Sequence, residues 1–519
     1  VGAVAASLVG LVAMAVVGAA PGSPYQPVLT PNGRPRGPLK DLAVSLGLHR
    51  WEGNGWIALS TVVVVVAVAA TLWLAREAYR GRVGVVAVGT VVLVGHVAVL
   101  FVPLLYSRDV YSYAFYGRIA GIYGGNPYVE TPLDHAGDLL WNFVGPKWVD
   151  TPAVYGPAWT RLSAELSVFL PKPVDHVEAY TLIAVGASLA LCVALAVIVH
   201  GAWPARTAFA LAIVGANPVV LFHTAASGHN DLLMILAVVI GLGLVLRGHD
   251  LAAVAALSLA ALVKAPAALP LLLLLVWAIA RRPRGERLRV AVTHVGLAAV
   301  LGLILAVPYL QLRDPTLGML ELSGHEGWLA PSATLSRLLD VVSFGTLGWV
   351  ARLAFAGLFF VSLGGLVREV ARRAPDMSPA ELGATWGWSL LLLALLGPVL
   401  LPWYAVWALP FAWLVPRLPR GVAVATGAML AVTLWAAEPL RFPGAFDVNL
   451  FVGRVVITPI LLVMTLVMVH DLRNRIAVGF SFEDEASPSA LLAPLPLTAD
   501  REHVAAAARE GGGGDPPGA

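Results

Sequence analysis

Apolar runs of membrane-spanning length alternate along this chain with polar connections. They fall at 2–20, 57–75, 83–106, 178–200, 206–223, 230–246, 251–280, 290–309, 347–367, 384–401, 403–416, 421–437 and 451–469. About 20 apolar residues in a helix cross a hydrocarbon core of about 30 Å, so most of these runs predict one helix each. The run 251–280 is too long for one, because at about 1.5 Å per residue it would reach about 45 Å. Lys264 and Pro266 sit at its middle, Arg247 precedes it and RRPRGERLR at 281–289 follows it. With both flanks cytoplasmic, the run enters the bilayer and returns as a hairpin with Lys264 near its tip.

The positive-inside rule then gives a trace of about fourteen membrane helices with both termini inside. Arg76, Arg80 and Arg82, the 281–289 cluster, Arg368, Arg372 and Arg373, Arg417 and Arg420, and Arg473 and Arg475 all fall on the cytoplasmic side. Loops 107–176, 310–346 and 438–449 fall outside. Segment 21–55 carries Arg34, Arg36, Lys40 and Arg50 yet is placed outside, a conflict that is tolerable because long loops translocate largely regardless of charge. The expected architecture is an all-α polytopic membrane domain over 1–470 and a cytoplasmic tail over 471–519. That tail ends in glycines and prolines that cannot build a core, which predicts disorder. Residues 2–20 lack a charged n-region and are expected to remain as a first span.

Composition closes off several classes. A chain that is 58% hydrophobic and 13% charged, with a mean hydropathy of +0.80, is not a soluble globular protein. The formal net charge of +3 resides in short connections, where basic residues orient the chain and do not call for nucleic acid. The single cysteine, Cys192, lies within an apolar run and is expected to pack there. With no His-x-x-x-His pair, Walker A motif or Rossmann glycine pattern, the sequence calls for no metal and no nucleotide cofactor.

The candidate chemistry gathers on the external side. SRDVYSYAFYGR, residues 107–118, places Asp109 where an apolar span meets water. A carboxylate there can take a proton from a substrate hydroxyl while a lipid-borne partner arrives from the bilayer. The competing reading makes Tyr111, Tyr113, Phe115 and Tyr116 an interfacial aromatic belt and Asp109 a helix cap. The loop 107–176 that follows holds seven acidic and five basic residues and is too long for a simple connection. In Ser227-Gly228-His229-Asn230-Asp231, capping accounts for one polar residue but not three, and His229, Asn230 and Asp231 could bind sugar hydroxyls or orient a base. Lys264 either snorkels or meets a lipid phosphate near the outer leaflet. Leu401-Pro402-Trp403-Tyr404 with Trp407 reads as a belt or as a platform for a sugar ring. Glu438, Arg441 and Asp447, and His325 with Glu326, complete the external set, and Arg441 could pair with a phosphate.

Five stretches in order, SRDVYSYAFYGRIAGIYGGNPY, YGPAW at 155–159, NPVVLFHTAASGHNDLLM at 217–234, LVKAPAALPL at 262–271 and LPWYAVWALP at 401–410, carry a resemblance. Together they resemble the actinobacterial polyprenol-phosphomannose-dependent α-1,6-mannosyltransferases, membrane glycosyltransferases of the GT-C class. The resemblance implies a GT-C fold, a β-linked decaprenyl phosphomannose donor, an acceptor of lipomannan or lipoarabinomannan type, and transfer at the periplasmic face of the plasma membrane. It places the acidic residue of the first large external loop on Asp109 as the base of an inverting transfer. Lys264, Arg108 or Arg441 would then steady the departing phosphate, and Tyr111, Tyr113, His229, Asn230, Asp231, Trp403 and Tyr404 would hold sugar. From the residues alone, a flippase for a lipid-linked sugar, a GT-C enzyme for another polyprenyl-phosphate sugar and a scaffold for a partner subunit all remain open.

Overall fold

The computed structural model describes residues 1–27, 37–310, 330–414 and 443–478. Among these residues the secondary structure is helical throughout and contains no strand. The first helices are α1 (Gly2–Ala19), α2 (Pro38–Ser45), α3 (Gly53–Tyr79), α4 (Val85–Val99), α5 (Asp109–Gly121) and α6 (Pro157–Phe169). They are followed by α7 (Pro173–Ala202), α8 (Thr207–Gly215), α9 (Asp231–Leu246), α10 (Asp250–Val263), α11 (Ala268–Ala280) and α12 (Arg284–Ala306). Then come α13 (Pro331–Val342), α14 (Gly348–Arg373), α15 (Pro379–Leu396), α16 (Pro443–Val452) and α17 (Thr458–Val478).

Seven helices in the described residues are long and apolar enough to cross a membrane, and an eighth span forms if the bent pair at 204–225 is counted as one. Shorter apolar helices at Val85–Val99, Asp231–Leu246, Asp250–Val263 and Ala265–Ala280 add to these. This is an all-α polytopic membrane protein. Position in the bundle follows from apolarity around the helix. Every residue of α8 is buried, among α3, α4 and α7, whereas α12 buries only Val290 and turns its apolar side chains outward.

The 251–280 run is the expected hairpin. Asp250 at the start of α10 pairs with Arg281 just past the end of α11, which brings the two ends of the run together. Arg281 also lies 3.9 Å above the Trp277 ring. The run at 403–416 is not a spanning helix: it forms two short 3-10 segments, Pro402–Trp407 and Leu409–Leu414. Pro410, in the interior of the run, removes a backbone donor that a continuous helix would need. The expected span 421–437 lies outside the described residues. At the C-terminal end α17 continues to Val478, so helix extends into the segment assigned to the tail.

The long 107–176 loop is mostly ordered structure. Its ends are α5 and α6, which pack so closely that Gly117 and Gly121 meet the backbone of Ser163 and Ala164. Between them, Arg118 Nε donates to Asp138 at 2.7 Å and the Tyr123 hydroxyl donates to the same oxygen at 2.6 Å, fixing the connection to α5.

Candidate functional site

Four short breaks in helical structure meet at one end of the bundle. The first is 104–109, between α4 and α5. Leu105 N–H donates to Ala226 and the Ser227 hydroxyl donates to Leu105 C=O at 2.6 Å, tying this segment to the second break. That second break, 226–230, follows a π-helical turn over Val219–Ala225 and a bend of 43° at Asn217-Pro218. Pro218 cannot continue the α8 ladder, and Asn217 closes the gap by donating to Ile213 and accepting from Val219 N–H. The third is the α10–α11 turn at Lys264, against which Gly156 packs, its N–H donating to Val263 C=O at 3.0 Å. The fourth is Pro402–Trp407.

At their junction Asp109 is the first residue of α5, and its N–H donates to Ser107 Oγ at 3.1 Å. Its carboxylate lies 3.5 Å from His229 Nδ1 and keeps 21% of its surface exposed, while His229 is sealed. Burial pushes the Asp109 carboxyl up to about 6, against the opposing pull of the Lys264 charge and of hydrogen bonds from Ser107 and Tyr155. Loss of hydration outweighs those partners. Burial, with Lys264 next in effect, holds the His229 imidazole well below its usual range. His229 is therefore neutral near pH 7, and at 3.5 Å its Nδ1 touches the Asp109 carboxylate at a distance longer than an ordinary N–H···O hydrogen bond. Its Nδ1 is also 3.4 Å from the Tyr113 hydroxyl, and its ring stacks on Trp403 with centroids 3.8 Å apart.

Asp231 is wholly buried. One oxygen accepts from Lys264 Nζ at 2.7 Å and the other from Trp407 Nε1 at 2.6 Å. Lys264 lies 5.6 to 6.0 Å from the ring centroids of Tyr155, Tyr404 and Trp407, and Tyr404 stacks on Trp407 at 4.0 Å. The ammonium thus sits in an aromatic cage with one carboxylate firmly bound. Among the described residues, no three His, Cys, Asp or Glu side chains gather in a group that could hold a metal.

Several expectations change here. Lys264 is not at a lipid-facing tip but 6% exposed and paired. Trp403 and Tyr404 are 8% and 6% exposed, walls of the cluster rather than a lipid-facing belt. The N-cap residues of α5 and α9, Arg108 and Asn230, make no side-chain capping bond, and Asp109 is itself the first helical residue, so neither Asp109 nor the 227–231 cluster acts as a cap. Tyr111 does not join the cluster. Two positions from Tyr113 on α5 it points elsewhere and packs on Phe143 at 5.3 Å, while Tyr113 sits edge-on to Tyr155 and Trp159. Asn230 is buried beside the site, and neither atom of its amide has a protein partner. Arg108 adjoins Asp109 and is part-buried. Arg441, Glu438, His325 and Glu326 lie outside the described residues, and Asp447 is exposed on α16.

Tyr155 is the residue that the sequence did not single out. Its only signal was the Tyr-Gly-Pro opening of α6, and its place is set by Gly156, whose N–H donates to Val263 C=O and whose approach to the Leu262 backbone leaves no room for a Cβ.

A family model described as Alpha-(1->6)-mannopyranosyltransferase, N-terminal domain, matches residues 2–281. Alpha-(1->6)-mannopyranosyltransferase A of Mycobacterium tuberculosis is 30% identical over 353 residues, 63% of this chain and 65% of the relative. Alpha-(1->6)-mannopyranosyltransferase B of Corynebacterium glutamicum is 25% identical over 397 residues, 67% of this chain and 64% of the relative. The chain thus spans just under two thirds of the length of each of these two relatives. Alpha-(1->6)-mannopyranosyltransferase A of Corynebacterium glutamicum is 32% identical over a shorter stretch, 35% of its length. No solved structure matches the chain.

Proposed function

This chain belongs to the α-(1→6)-mannopyranosyltransferase family, and on that premise we propose that it transfers mannose from a polyprenyl phosphomannose to an α-1,6-mannan acceptor of lipomannan type. The reaction would take place at the periplasmic face of the plasma membrane. The observation that carries this reading is the environment of Asp109: a carboxylate with a raised pKa and a partly open surface, at the edge of a sealed cluster of aromatic and polar groups. A base near 6 is ionised at pH 7 and is still basic enough to accept a proton from a sugar hydroxyl in the transition state.

In this mechanism the acceptor hydroxyl attacks the anomeric carbon, its proton passes to Asp109, and the carbon–oxygen bond to the lipid phosphate breaks. One displacement turns a β-linked donor into an α-linked product, so neither a nucleophilic residue nor a covalent intermediate is needed. The leaving phosphate already carries charge and needs cationic stabilisation. Lys264 and Arg108 are the described candidates. Both oxygens of Asp231 are engaged, so its part is to hold Lys264 and Trp407; Tyr113, His229 and Asn230 are sealed behind Asp109, which leaves Trp403 and Tyr404 to contact sugar.

The test uses the purified full chain in detergent with polyprenyl phosphomannose and an α-mannoside acceptor. Mannosylated acceptor and free polyprenyl phosphate should both appear, and both should vanish in Asp109→Asn. A pure flippase would release no polyprenyl phosphate, and preference for phosphoglucose or phosphoarabinose in a parallel panel would reassign the sugar.

A further inference from the structure

Only two non-glycine residues among those described have positive φ, and one lies three positions before Asp109. Phe344, at 54°, sits in an exposed turn. Tyr106, at 56°, is half-buried and packs against the core. Ser107 N–H donates back to Leu105 C=O at 2.6 Å, so residues 105–107 form the positive-φ γ-turn, the rare and strained kind. An L-residue keeps such a conformation only where its surroundings over-determine it.

The surroundings do so. Tyr106 N–H donates to Tyr25 C=O at 2.7 Å. The Tyr106 ring lies flat on His223, with centroids 3.8 Å apart and planes inclined by 15°, and its other neighbour is the Tyr25 ring at 5.0 Å. Neither ring nitrogen of His223 has a hydrogen-bond partner in the protein. What His223 offers is a flat face, delivered by the π-helical turn. Leu105 is gripped from the other side by Ser227 Oγ and Ala226 C=O, and Ser107 Oγ takes the N–H of Asp109. The segment that grips Leu105 continues within two residues to His229, which touches the Asp109 carboxylate.

We infer that the γ-turn at Tyr106, clamped by His223 and Ser227, positions the Asp109 carboxylate against His229, which makes Tyr106 and Ser227 positioning residues for proton removal. The inference rests on the transfer reading for its consequence but not for its geometry. Without the clamp the turn relaxes to negative φ, the start of α5 shifts, and the carboxylate no longer faces the acceptor hydroxyl.

The full chain in detergent supplies the test. Tyr106→Ala should lower kcat by about 100-fold, the penalty typical of a misplacement of about 1 Å, with the donor KM unchanged. Tyr106→Phe, which keeps the ring, should restore the rate, and Ser227→Ala should lower kcat in the same way. Wild-type turnover in Tyr106→Ala, or a loss borne by KM with kcat intact, overturns the inference. A readout independent of turnover places cysteines at 109 and 229 in a Cys192→Ser background. A short thiol cross-linker should join them when Tyr106 is present and fail when it is alanine; equal joining in both overturns the positioning. If Tyr106→Ala does not fold, Ser227→Ala carries both readouts. A wild-type protein that turns over no donor while the cross-link still depends on residue 106 or 227 overturns the transfer reading and leaves the positional inference standing.

Discussion

Asp231 and Lys264, 33 positions apart in the chain, meet as an ion pair of 2.7 Å with side-chain exposures of 0% and 7%. A pair taken this far out of water contributes little net stability, but removing one partner strands the other charge. Lys264→Met or Asp231→Asn alone should therefore cost about 3–5 kcal/mol. Lys264→Met with Asp231→Leu should cost much less than the sum, as measured by thermal unfolding in detergent. A stable double variant that no longer transfers sugar would assign the ammonium to the donor rather than to the scaffold.

Proton acceptance by Asp109 fixes the direction of the pH dependence. Its carboxyl is raised to about 6 by burial, so below that pH the group is protonated and cannot accept a proton. The rate should rise by about tenfold per pH unit on the acid side and level off above about 6. The charge of Lys264 opposes the rise, so Lys264→Met should move this limb to higher pH. A profile flat from pH 5 to 8 would remove Asp109 as the base.

Gly228 holds a φ of +67°, and a Cβ there would come 2.5 Å from Val110 Cγ1. Gly228→Ala meets both the steric cost of the left-handed region and a collision with the first turn of α5. The expected loss exceeds about 1 kcal/mol. Because Val110 adjoins Asp109, the transfer rate should fall further than stability alone explains; a variant unchanged in both would contradict the packing described here.

Topology can be checked by labelling. The ends of the α10–α11 hairpin are joined by Asp250 and Arg281, and the trace puts that junction in the cytoplasm. Arg284→Cys should resist a membrane-impermeant thiol reagent in intact cells, and Asn142→Cys, in the exposed part of the large loop, should react. The native Cys192 is buried and should contribute little background.

The helical, membrane-spanning character of the chain was written in its sequence, because a bilayer imposes one simple demand on long apolar runs. The hairpin at 251–280 was legible for the same reason, from its length and the basic residues that flank it. Asp109, His229, Asp231, Lys264, Trp403 and Tyr404 stood out because polar and aromatic groups beside apolar spans are costly or conspicuous. Their partners were not legible. Whether Lys264 faced lipid phosphate or Asp231, and whether Trp403 met bilayer or His229, depended on contacts between breaks far apart in the chain, and local pattern carries no information about those. The same holds for Tyr111 and Tyr113, which look equivalent in sequence but leave α5 in different directions, and for Tyr155, which owes its place to a glycine with no room for a side chain. Local composition determined that the chain is built of apolar, membrane-length helices, although it misjudged 403–416; the packing of helix ends against one another decided which of the polar residues form a site.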